Sequence, residues 1–348
     1  MSLTPCIKAI STATPPHDVH HAFIDWAGRQ LTDERERALF ARLVDRARID
    51  HRWSVMPPEA IDQSTGAFYD AKAWPGTAQR MAIYAREAPA LAEQAVRGLG
   101  SLDGVTHLVV ASCTGFVAPG VDQLLAKRLG LAADVERVLI GFMGCYAAIA
   151  ALRTAYHIIR SQPHANVLVV TVELSSLHLQ KSGDLETLLA MLLFADGAAA
   201  ALVSARPAGL EIDAPFSIAL DDSSDLITWT VTDTGFAMGL SGKVPARVAG
   251  ALADPDIRKR IGADEGMGGW AVHGGGRSIL DAVERGFDLP LEALMDSRAI
   301  LRDFGNMSSA TIMFVLARIL ARDRPQTGVA LAFGPGLAIE GFHYRTPR

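Results

Sequence analysis

The chain has 348 residues, of which 49% are hydrophobic and 20% are charged, and its formal net charge is −5. This length suits a large hydrophobic core in one big domain or two fused ones. The lack of a basic excess argues against nucleic-acid binding, and three cysteines without a CxxC pair argue against a zinc site or a disulfide framework.

The N-terminal residues 1–10 contain no apolar stretch of signal-peptide length. The most apolar stretch, residues 188–203, contains Asp196 and Gly197 and is too short to span a bilayer. A small number of cysteines suits a reducing compartment. We therefore expect a cytoplasmic protein that is not inserted in a membrane.

Helices come first in the predicted order, over residues 35–48 and 78–99, where apolar residues recur at three- and four-residue spacing. Beyond residue 100, short apolar strands alternate with helices. Strands are predicted over 106–112, 138–140, 167–173 and 198–203, and a helix follows Cys145. This alternation predicts an α/β fold with covered central strands.

The last third repeats the same order of elements. A strand is predicted over 270–273 and a helix over 277–286; another helix follows Asn306, and a strand covers 329–333. The repetition suggests an internal duplication with its junction in the segment 206–209. We therefore predict an N-terminal half over 1–205 and a C-terminal half over 206–348.

Cys145 is the first candidate for a catalytic residue. It follows Gly144 and opens a predicted helix that is rich in alanine. The unpaired N–H groups and the dipole at a helix start favour an anion, so this position would stabilise a thiolate. The alternative is a buried structural cysteine, which is common in protein interiors.

His273 and Asn306 are the next candidates. His273 ends a predicted strand before three glycines, which suits a base that must reach a substrate, and Asn306 precedes a predicted helix. A carboxamide can stabilise a developing oxyanion, but an asparagine here can also be a helix N-cap, and the histidine can simply bond nearby backbone. Cysteine with distant histidine and asparagine fits nucleophilic acyl chemistry, in a protease or in a condensing enzyme.

Five segments together carry a family resemblance: GFMGCYAAIAALRTA, LLFADGAAAALV, WAVHGGGRSILDAVE, FGNMSSATIMFVL and FGPGLAIEGF. From about residue 38 to its C-terminus, the chain resembles the chalcone synthase-like, or type III, polyketide synthases of the thiolase superfamily. The FGPG segment separates this family from the related ketoacyl synthases, which share the Cys/His/Asn set. The chain is shorter than the plant members, which suggests a bacterial member.

The resemblance implies a thiolase-like α/β fold, with two similar halves in a five-layered αβαβα arrangement, and a homodimer. It implies that a starter acyl-coenzyme A (CoA) thioester acylates Cys145 and that His273 keeps this residue as a thiolate. His273 and Asn306 would stabilise the enolate formed when malonyl-CoA loses carbon dioxide. Repeated condensation and cyclisation would give a pyrone, a resorcinol or another aromatic polyketide, and no metal or redox cofactor is expected.

The resemblance also assigns residues around the catalytic set. Phe194 matches the gatekeeper between the entrance tunnel and the cavity, and a core aromatic is the alternative. Arg42 and Arg46 match residues that hold the CoA phosphates, although Leu39 stands at the third basic position; the alternative is a solvated helix face. The loop at Gly334, Pro335 and Gly336 corresponds to the cyclisation loop.

Several positions depart from the family pattern. Trp229 stands in place of a small cavity glycine, Met238 in place of a phenylalanine near the gate, and His178 in place of a cavity threonine. Gly274 replaces a proline, and Ala118 replaces a bulkier residue at the dimer interface. The remaining predicted lining positions are Thr114, Ser175, Ser308 and Cys113. The alternative for Cys113 is a buried structural cysteine. These changes predict a reshaped cavity and argue against a flavonoid-type product.

Two rival functions stay open. A ketoacyl synthase III-like enzyme would use acyl carrier protein, and a non-catalytic thiolase-fold protein would only bind acyl-CoA. A binding protein has no need of the complete Cys/His/Asn set, which argues against the second rival. His17, His20 and His21 lie close together, but no fitting second ligand group stands nearby, so we predict a solvated segment or entrance loop and no metal site.

Overall fold

The computed structural model describes residues 4–61, 66–262, 267–322 and 326–347. The strands are β1 (Cys6–Ala13), β2 (His17–Asp18), β3 (Trp53–Ser54), β4 (His107–Ser112), β5 (Glu136–Gly141), β6 (Asn166–Leu174), β7 (Asp196–Ser204), β8 (Leu210–Ala219), β9 (Ile227–Thr232), β10 (Gly235–Leu240), β11 (Gly269–Val272), β12 (Thr327–Gly334) and β13 (Ala338–Arg345). The α-helices are α1 (His20–Gln30), α2 (Glu34–Ala47), α3 (Thr77–Arg97), α4 (Val121–Leu129), α5 (Ala147–Ser161), α6 (Leu185–Leu193), α7 (Val244–Ala253), α8 (Pro255–Ile261), α9 (Arg277–Phe287), α10 (Met295–Phe304) and α11 (Ala310–Leu320). Short 3-10 helices lie at Pro58–Ile61, Gly144–Tyr146, Ser175–His178 and Pro335–Leu337.

Nine strands are hydrogen-bonded in the order β11-β12-β13-β8-β1-β7-β6-β4-β5. In the N-terminal part, β5, β4 and β6 are parallel, and β7 is antiparallel to both β6 and β1. In the C-terminal part, β11 and β12 are parallel, and β13 is antiparallel to both β12 and β8. The two parts therefore share one strand order and one set of directions, except that the C-terminal part has no described counterpart of β5.

Helices cover both faces of this arrangement and also separate its two halves. The buried faces of α5 and α11 pack together with strands of both halves in one core. A second core joins α3 and α4 to the N-terminal strands, and a third joins α7 and α9 to the C-terminal strands. The layers are thus helix, sheet, helix, sheet, helix, which confirms the predicted thiolase-like fold class.

A smaller hydrophobic core lies beneath the helices that form walls of the large cavity. It gathers apolar side chains of α1, α2 and α6. Helix α2 begins after Asp33, whose carboxylate accepts hydrogen bonds from the backbone N–H groups of Arg35 and Glu36. Asp184 caps α6 in the same way through the N–H group of Thr187. The two capped helices form walls of the cavity described below.

The predicted helices and strands agree with α2, α3, β4, β5, β6, β7, β11 and β12 to within about two residues. The central strand β1 was not predicted, because Lys8, Ser11 and Thr12 interrupt its apolar pattern; it pairs with β7 and β8 on its two sides. The predicted junction lies between β7 and β8, and the division at residues 205 and 206 stays a prediction. No described helix is both long and apolar enough to cross a membrane.

Candidate active site

A cavity of about 910 Å³ opens between α2, α6 and α9 and reaches the buried central helices. Cys145, His273 and Asn306 all line it, although they lie far apart along the chain. Cys145 lies in the turn before α5, which begins at Ala147, and Asn306 lies in the segment before α11, which begins at Ala310, so the two equivalent central helices carry the two residues at their N-terminal ends. The structure therefore brings the predicted catalytic set together.

The turn that carries Cys145 requires glycine. Gly144 has a φ of +72°, and a Cβ atom there would lie 2.3 Å from the Cδ atom of Pro335. A Cβ atom on Gly334 would lie 2.6 Å from the ring of Tyr146. The predicted cyclisation loop and the cysteine turn consequently pack directly against each other, and both need the absence of a side chain.

The pKa of the Cys145 thiol is raised by burial to about 12. Hydrogen bonding to Ser308 and to Asn306 opposes this rise, whereas the nearby carboxyl group of Glu173 adds to it. The place of Cys145 before a helix start predicts a lowered pKa. That expectation is wrong for the isolated thiol, because Cys145 lies in the 3-10 turn before α5 and the loss of hydration outweighs the helix dipole.

His273 is held at the end of β11, where its backbone N–H donates to Leu331 O at 2.8 Å. Its side chain is only 1% exposed, and neither ring nitrogen has a hydrogen-bond partner among the described residues. Burial lowers the pKa of the imidazole to about 3, so the ring is neutral near pH 7. Buried nitrogens without partners are costly, and here they face a cavity that can hold a polar ligand.

Asn306 donates a hydrogen bond from Nδ2 to Gly275 O at 3.2 Å and accepts one at Oδ1 from Ser308 N at 2.9 Å. The alternative that it caps a helix is wrong, because α11 begins at Ala310 after Ser309. An amide nitrogen carries two hydrogens, so one N–H remains for a ligand. The bond to Gly275 also ties Asn306 to the loop that follows His273.

Glu173 is a buried residue of the site that the sequence analysis missed. Its Oε2 accepts hydrogen bonds from Cys113 N and Thr114 Oγ1, both at 2.9 Å, and its Oε1 accepts one from the Ser309 hydroxyl. Burial raises the pKa of this carboxyl to about 7. A glutamate at the end of the fully apolar run VLVVTVE was the signal, since an acid that is buried with its strand needs partners.

Two smaller cavities lie beyond the large one. One of about 20 Å³ adjoins Cys145, and another of about 140 Å³ lies further inside. Phe194 and Met238 line all three cavities, and Trp229 and Ser175 line the two inner ones. The 20 Å³ cavity is also lined by Cys113, Thr114 and Ser308. The predicted gatekeeper therefore stands where the three spaces meet.

Side chains that line the inner cavities are held by hydrogen bonds and ring stacking. Trp229 donates from Nε1 to Cys113 O at 2.8 Å. His178 stacks on Phe236 with ring centroids 4.2 Å apart, its Nε2 lies 2.7 Å from Thr114 O, and its Nδ1 accepts from Phe236 N at 3.0 Å. These partners fix one neutral tautomer, and burial lowers the pKa of His178 to about 3. His178 thus acts as a wall of the 140 Å³ cavity.

Arg52 anchors the backbone at the predicted gatekeeper Phe194, and this contact was not predicted. Its Nη1 donates to Met191 O at 3.0 Å and to Phe194 O at 2.9 Å, at the end of α6, and its Nε donates to His20 Nδ1 at 3.0 Å. His20 was predicted to be solvated, which is wrong: it is buried against Arg52, and burial lowers its pKa to about 4. The described residues contain no group of three or more His, Cys, Asp or Glu side chains that could hold a metal ion.

The two predicted CoA-binding arginines differ in position. Arg46 and Leu39 line the 910 Å³ cavity, whereas Arg42 is exposed and is not among the lining residues. Ala118, the predicted interface residue, is also exposed. Gly334 lines the large cavity and Pro335 the smallest one, and Gly336 O accepts a hydrogen bond from Ser223 Oγ at 3.1 Å.

Comparison with known protein families gives matches along almost the whole chain. Residues 4–207 match the model for the N-terminal domain of chalcone and stilbene synthases, and residues 213–346 match the model for their C-terminal domain. The chain belongs to the chalcone and stilbene synthase family. The resemblance derived from the five segments is confirmed, and the chain is a type III polyketide synthase and hence an acyltransferase.

Individual relatives agree with this assignment. The chain is 32% identical to the alpha-pyrone synthesis polyketide synthase-like Pks18 of Mycobacterium tuberculosis, over 96% of this chain and 89% of that protein. It is 32% identical to the 1,3,6,8-tetrahydroxynaphthalene synthase of Streptomyces peucetius, over 96% and 91%. The crystal structure of PKS-I from the brown alga Ectocarpus siliculosus superposes with a TM-score of 0.90 at 29% identity, over 99% of both chains.

Proposed function

We propose that this synthase loads an acyl-CoA starter on Cys145, extends it with malonyl-CoA, and releases an α-pyrone or a related aromatic polyketide. The observation that carries the proposal is the opening of Cys145, His273 and Asn306 onto one cavity, in which the ring nitrogens of His273 have no hydrogen-bond partner within the part of the chain that the structure describes. The chemistry requires no metal or redox cofactor, because the thioester and the malonyl carboxylate supply the reactive groups.

In the loading step the Cys145 sulfur attacks the carbonyl carbon of the starter thioester. The new C–S bond forms as the bond between the acyl carbon and the CoA sulfur breaks. His273 accepts the thiol proton and passes it to the departing CoA thiolate. Burial opposes either charge alone, so thiolate and imidazolium form together, each supplying the counter-charge for the other.

In the extension step the C–C bond to the malonyl carboxylate breaks and carbon dioxide leaves. The electron pair passes into an enolate, whose oxygen accepts hydrogen bonds from His273 and from the second N–H of Asn306. The enolate carbon then attacks the acyl carbon on Cys145, and the thiolate is released. The lengthened β-ketoacyl-CoA reloads Cys145 for the next cycle.

The inner space favours a small ring. A void of 20 Å³ holds about one water molecule, so a growing chain must enter the 140 Å³ cavity or move the side chains at the gate. Trp229 donates a hydrogen bond to the backbone carbonyl oxygen of Cys113, and its side chain leaves little volume in the cavity beside Cys145. Attack of an enol oxygen on the Cys145 thioester would then form a pyrone after few extensions and free the enzyme. The name of the Pks18 relative, an α-pyrone synthesis enzyme, is in line with this product.

We also propose a cytoplasmic homodimer. Strand β5 is the last strand of the sheet order, and it exposes Val138 and Leu139, with 47% of Leu139 accessible. Phe116 is 54% exposed and packs against Phe142, with ring centroids 5.3 Å apart. An apolar edge strand of this kind needs a cover. Light scattering on the pure protein should give twice the monomer mass, and Leu139→Glu should lower that mass.

The direct test incubates purified protein with malonyl-CoA and aliphatic or aromatic acyl-CoA starters, followed by mass spectrometry of products and measurement of released carbon dioxide. Wild type should give pyrones, and Cys145→Ala should give none. The ketoacyl synthase alternative predicts faster extension from malonyl-acyl carrier protein than from malonyl-CoA. The binding-protein alternative predicts acyl-CoA binding without acyl transfer to Cys145. Absence of carbon dioxide release with every starter would refute the proposal.

A further inference from the structure

The mouth of the 910 Å³ cavity is lined by charged side chains of both signs. Arg46 on α2 and Arg277 on α9 line one wall, and Asp184 and Glu186 at the start of α6 line another. Asp281 lines the cavity beside Arg277. An anionic group that enters this mouth is therefore attracted to the wall formed by α2 and α9 and repelled by the start of α6.

Arg277 is positioned toward Arg46. Its Nη1 donates to the backbone carbonyl oxygen of Arg46 at 3.2 Å, which holds the second guanidinium against the end of α2, next to the residue that supplies the first. Its Nε lies 3.8 Å from Asp281 Oδ2. A long, partly exposed ion pair of this kind contributes little to stability. It leaves most of the N–H groups of the Arg277 guanidinium available to bind a ligand.

Asp281 and Glu284, the acidic residues near Arg277, lie closer to another arginine, Arg298. Arg298 Nη2 lies 2.5 Å from Asp281 Oδ1 and 2.7 Å from Glu284 Oε2. Arg277 and Arg298 together balance these two carboxylates, and Arg46 adds a positive charge at the same wall. A bound phosphate would supply a counter-charge to Arg46 and to Arg277 at this wall.

We infer that Arg277 and Arg46 form a two-arginine site for the phosphate groups of the CoA substrates. This inference rests on the proposed use of CoA thioesters and deepens it by naming Arg277, which the family resemblance does not assign. Arg277 binds the carrier part of the substrate and takes no part in the chemistry at Cys145. Its contribution is therefore confined to substrates that carry phosphates.

The test compares malonyl-CoA with the malonyl thioester of N-acetylcysteamine, which has no phosphate, in wild type, Arg277→Ala, Arg277→Lys and the control Arg285→Ala. Arg285 lies on the same helix, is exposed, and does not line the cavity. Arg277→Ala should raise the KM for malonyl-CoA roughly fivefold to tenfold and leave the kinetics with the short thioester unchanged. Arg277→Lys should have a smaller effect, and Arg285→Ala none.

An unchanged KM for malonyl-CoA in Arg277→Ala, at unchanged melting temperature, would overturn the inference and leave the proposed function intact. An equal loss with both thioesters would also overturn it, since it would indicate a disturbed site. Failure of wild type to decarboxylate either thioester would instead refute the proposed function. The effect of Arg277→Ala should shrink in high salt, as phosphate contacts are screened.

Discussion

Phe194 and Asn306 are joined in an isolated parallel β-bridge. Asn306 N donates to Leu193 O at 2.8 Å, and Ala195 N donates to Asn306 O at 2.9 Å. The predicted gatekeeper and the predicted carboxamide donor therefore belong to one backbone unit, although Phe194 follows α6 and Asn306 precedes α11. A shift of the end of α6 would displace the amide that faces Cys145.

Arg52 should control this unit. Arg52→Met leaves the carbonyl groups of Met191 and Phe194 without their donor, and we expect a loss of stability of about 2–4 kcal/mol. In the folded fraction, kcat should fall more than KM rises, and the range of accepted starters should broaden, because both the amide and the gate lose their position. Thermal unfolding and starter competition would measure this.

Arg52→Lys keeps the positive charge and should retain more activity than Arg52→Met. Arg302→Met removes an arginine at an exposed position and is the control. Wild-type kinetics and starter selection in Arg52→Met would contradict a positioning role.

His273→Gln should make Cys145 react only at higher pH. Burial by itself raises the pKa of this thiol to about 12, and an imidazolium in the same cavity is the charge that can lower it. We expect the midpoint of iodoacetamide alkylation to rise by at least about 2 pH units relative to wild type. Rates followed by peptide mass spectrometry give the two midpoints, and coincident profiles would rule out proton transfer to His273.

Trp229→Ala should lengthen the product. The substitution removes the largest side chain that lines both the 20 Å³ and the 140 Å³ cavity, and we expect products with one or more additional malonyl units. Product masses check this directly. Val231→Ala is the matched control, because Val231 lies on the same strand β9 and is exposed. A product distribution identical to that of wild type would show that Trp229 does not limit chain growth.

Glu173 makes stability depend on pH. Its folded pKa, about 7, lies above its ordinary value of 4.5, so the folded state favours the protonated carboxyl. Its contribution to stability is fully present below about pH 4.5 and is lost as pH rises through 7. Urea unfolding at pH 5 and pH 8 should show wild type losing about 3 kcal/mol more than Glu173→Gln over this interval.

The pKa of Asp196 is also raised, to about 6. Asp196 is present in both wild type and Glu173→Gln, so the difference in pH dependence between these two proteins reports on Glu173 alone. Equal pH dependence in the two proteins would mean that Glu173 is ionised in the fold at pH 5.

Features with a local cause were predictable from the sequence. The strand at 167–173 and the helix after Cys145 are regular apolar patterns, and the glycines beside Cys145 and His273 marked the loops that the chemistry needs. The candidate catalytic residues Cys145, His273 and Asn306 could be named because they stand in motifs that are specific in combination. Strand β1 escaped prediction because its burial is imposed by its neighbours β7 and β8.

The hydrogen bonds that anchor Phe194 and Trp229 could not be predicted either, because they join residues that lie far apart along the chain. The bonds of Arg52 to the end of α6 join residues 139 and 142 positions apart, and the bond of Trp229 to Cys113 spans 116 positions. Local sequence contains no signal for such pairs. The raised pKa of Cys145 likewise depends on how deeply the assembled fold buries the turn, and helix propensity says nothing about that.

Phe194 and Met238 belong to the walls of the entrance and of both inner chambers. We expect a rotation of these side chains that widens one of the three cavities to reduce the volume of another, because both residues line all three. Starter size and the number of extension rounds should then depend on each other. Selection for a bulkier primer should shorten the final product even when the residues around the thiol are left untouched.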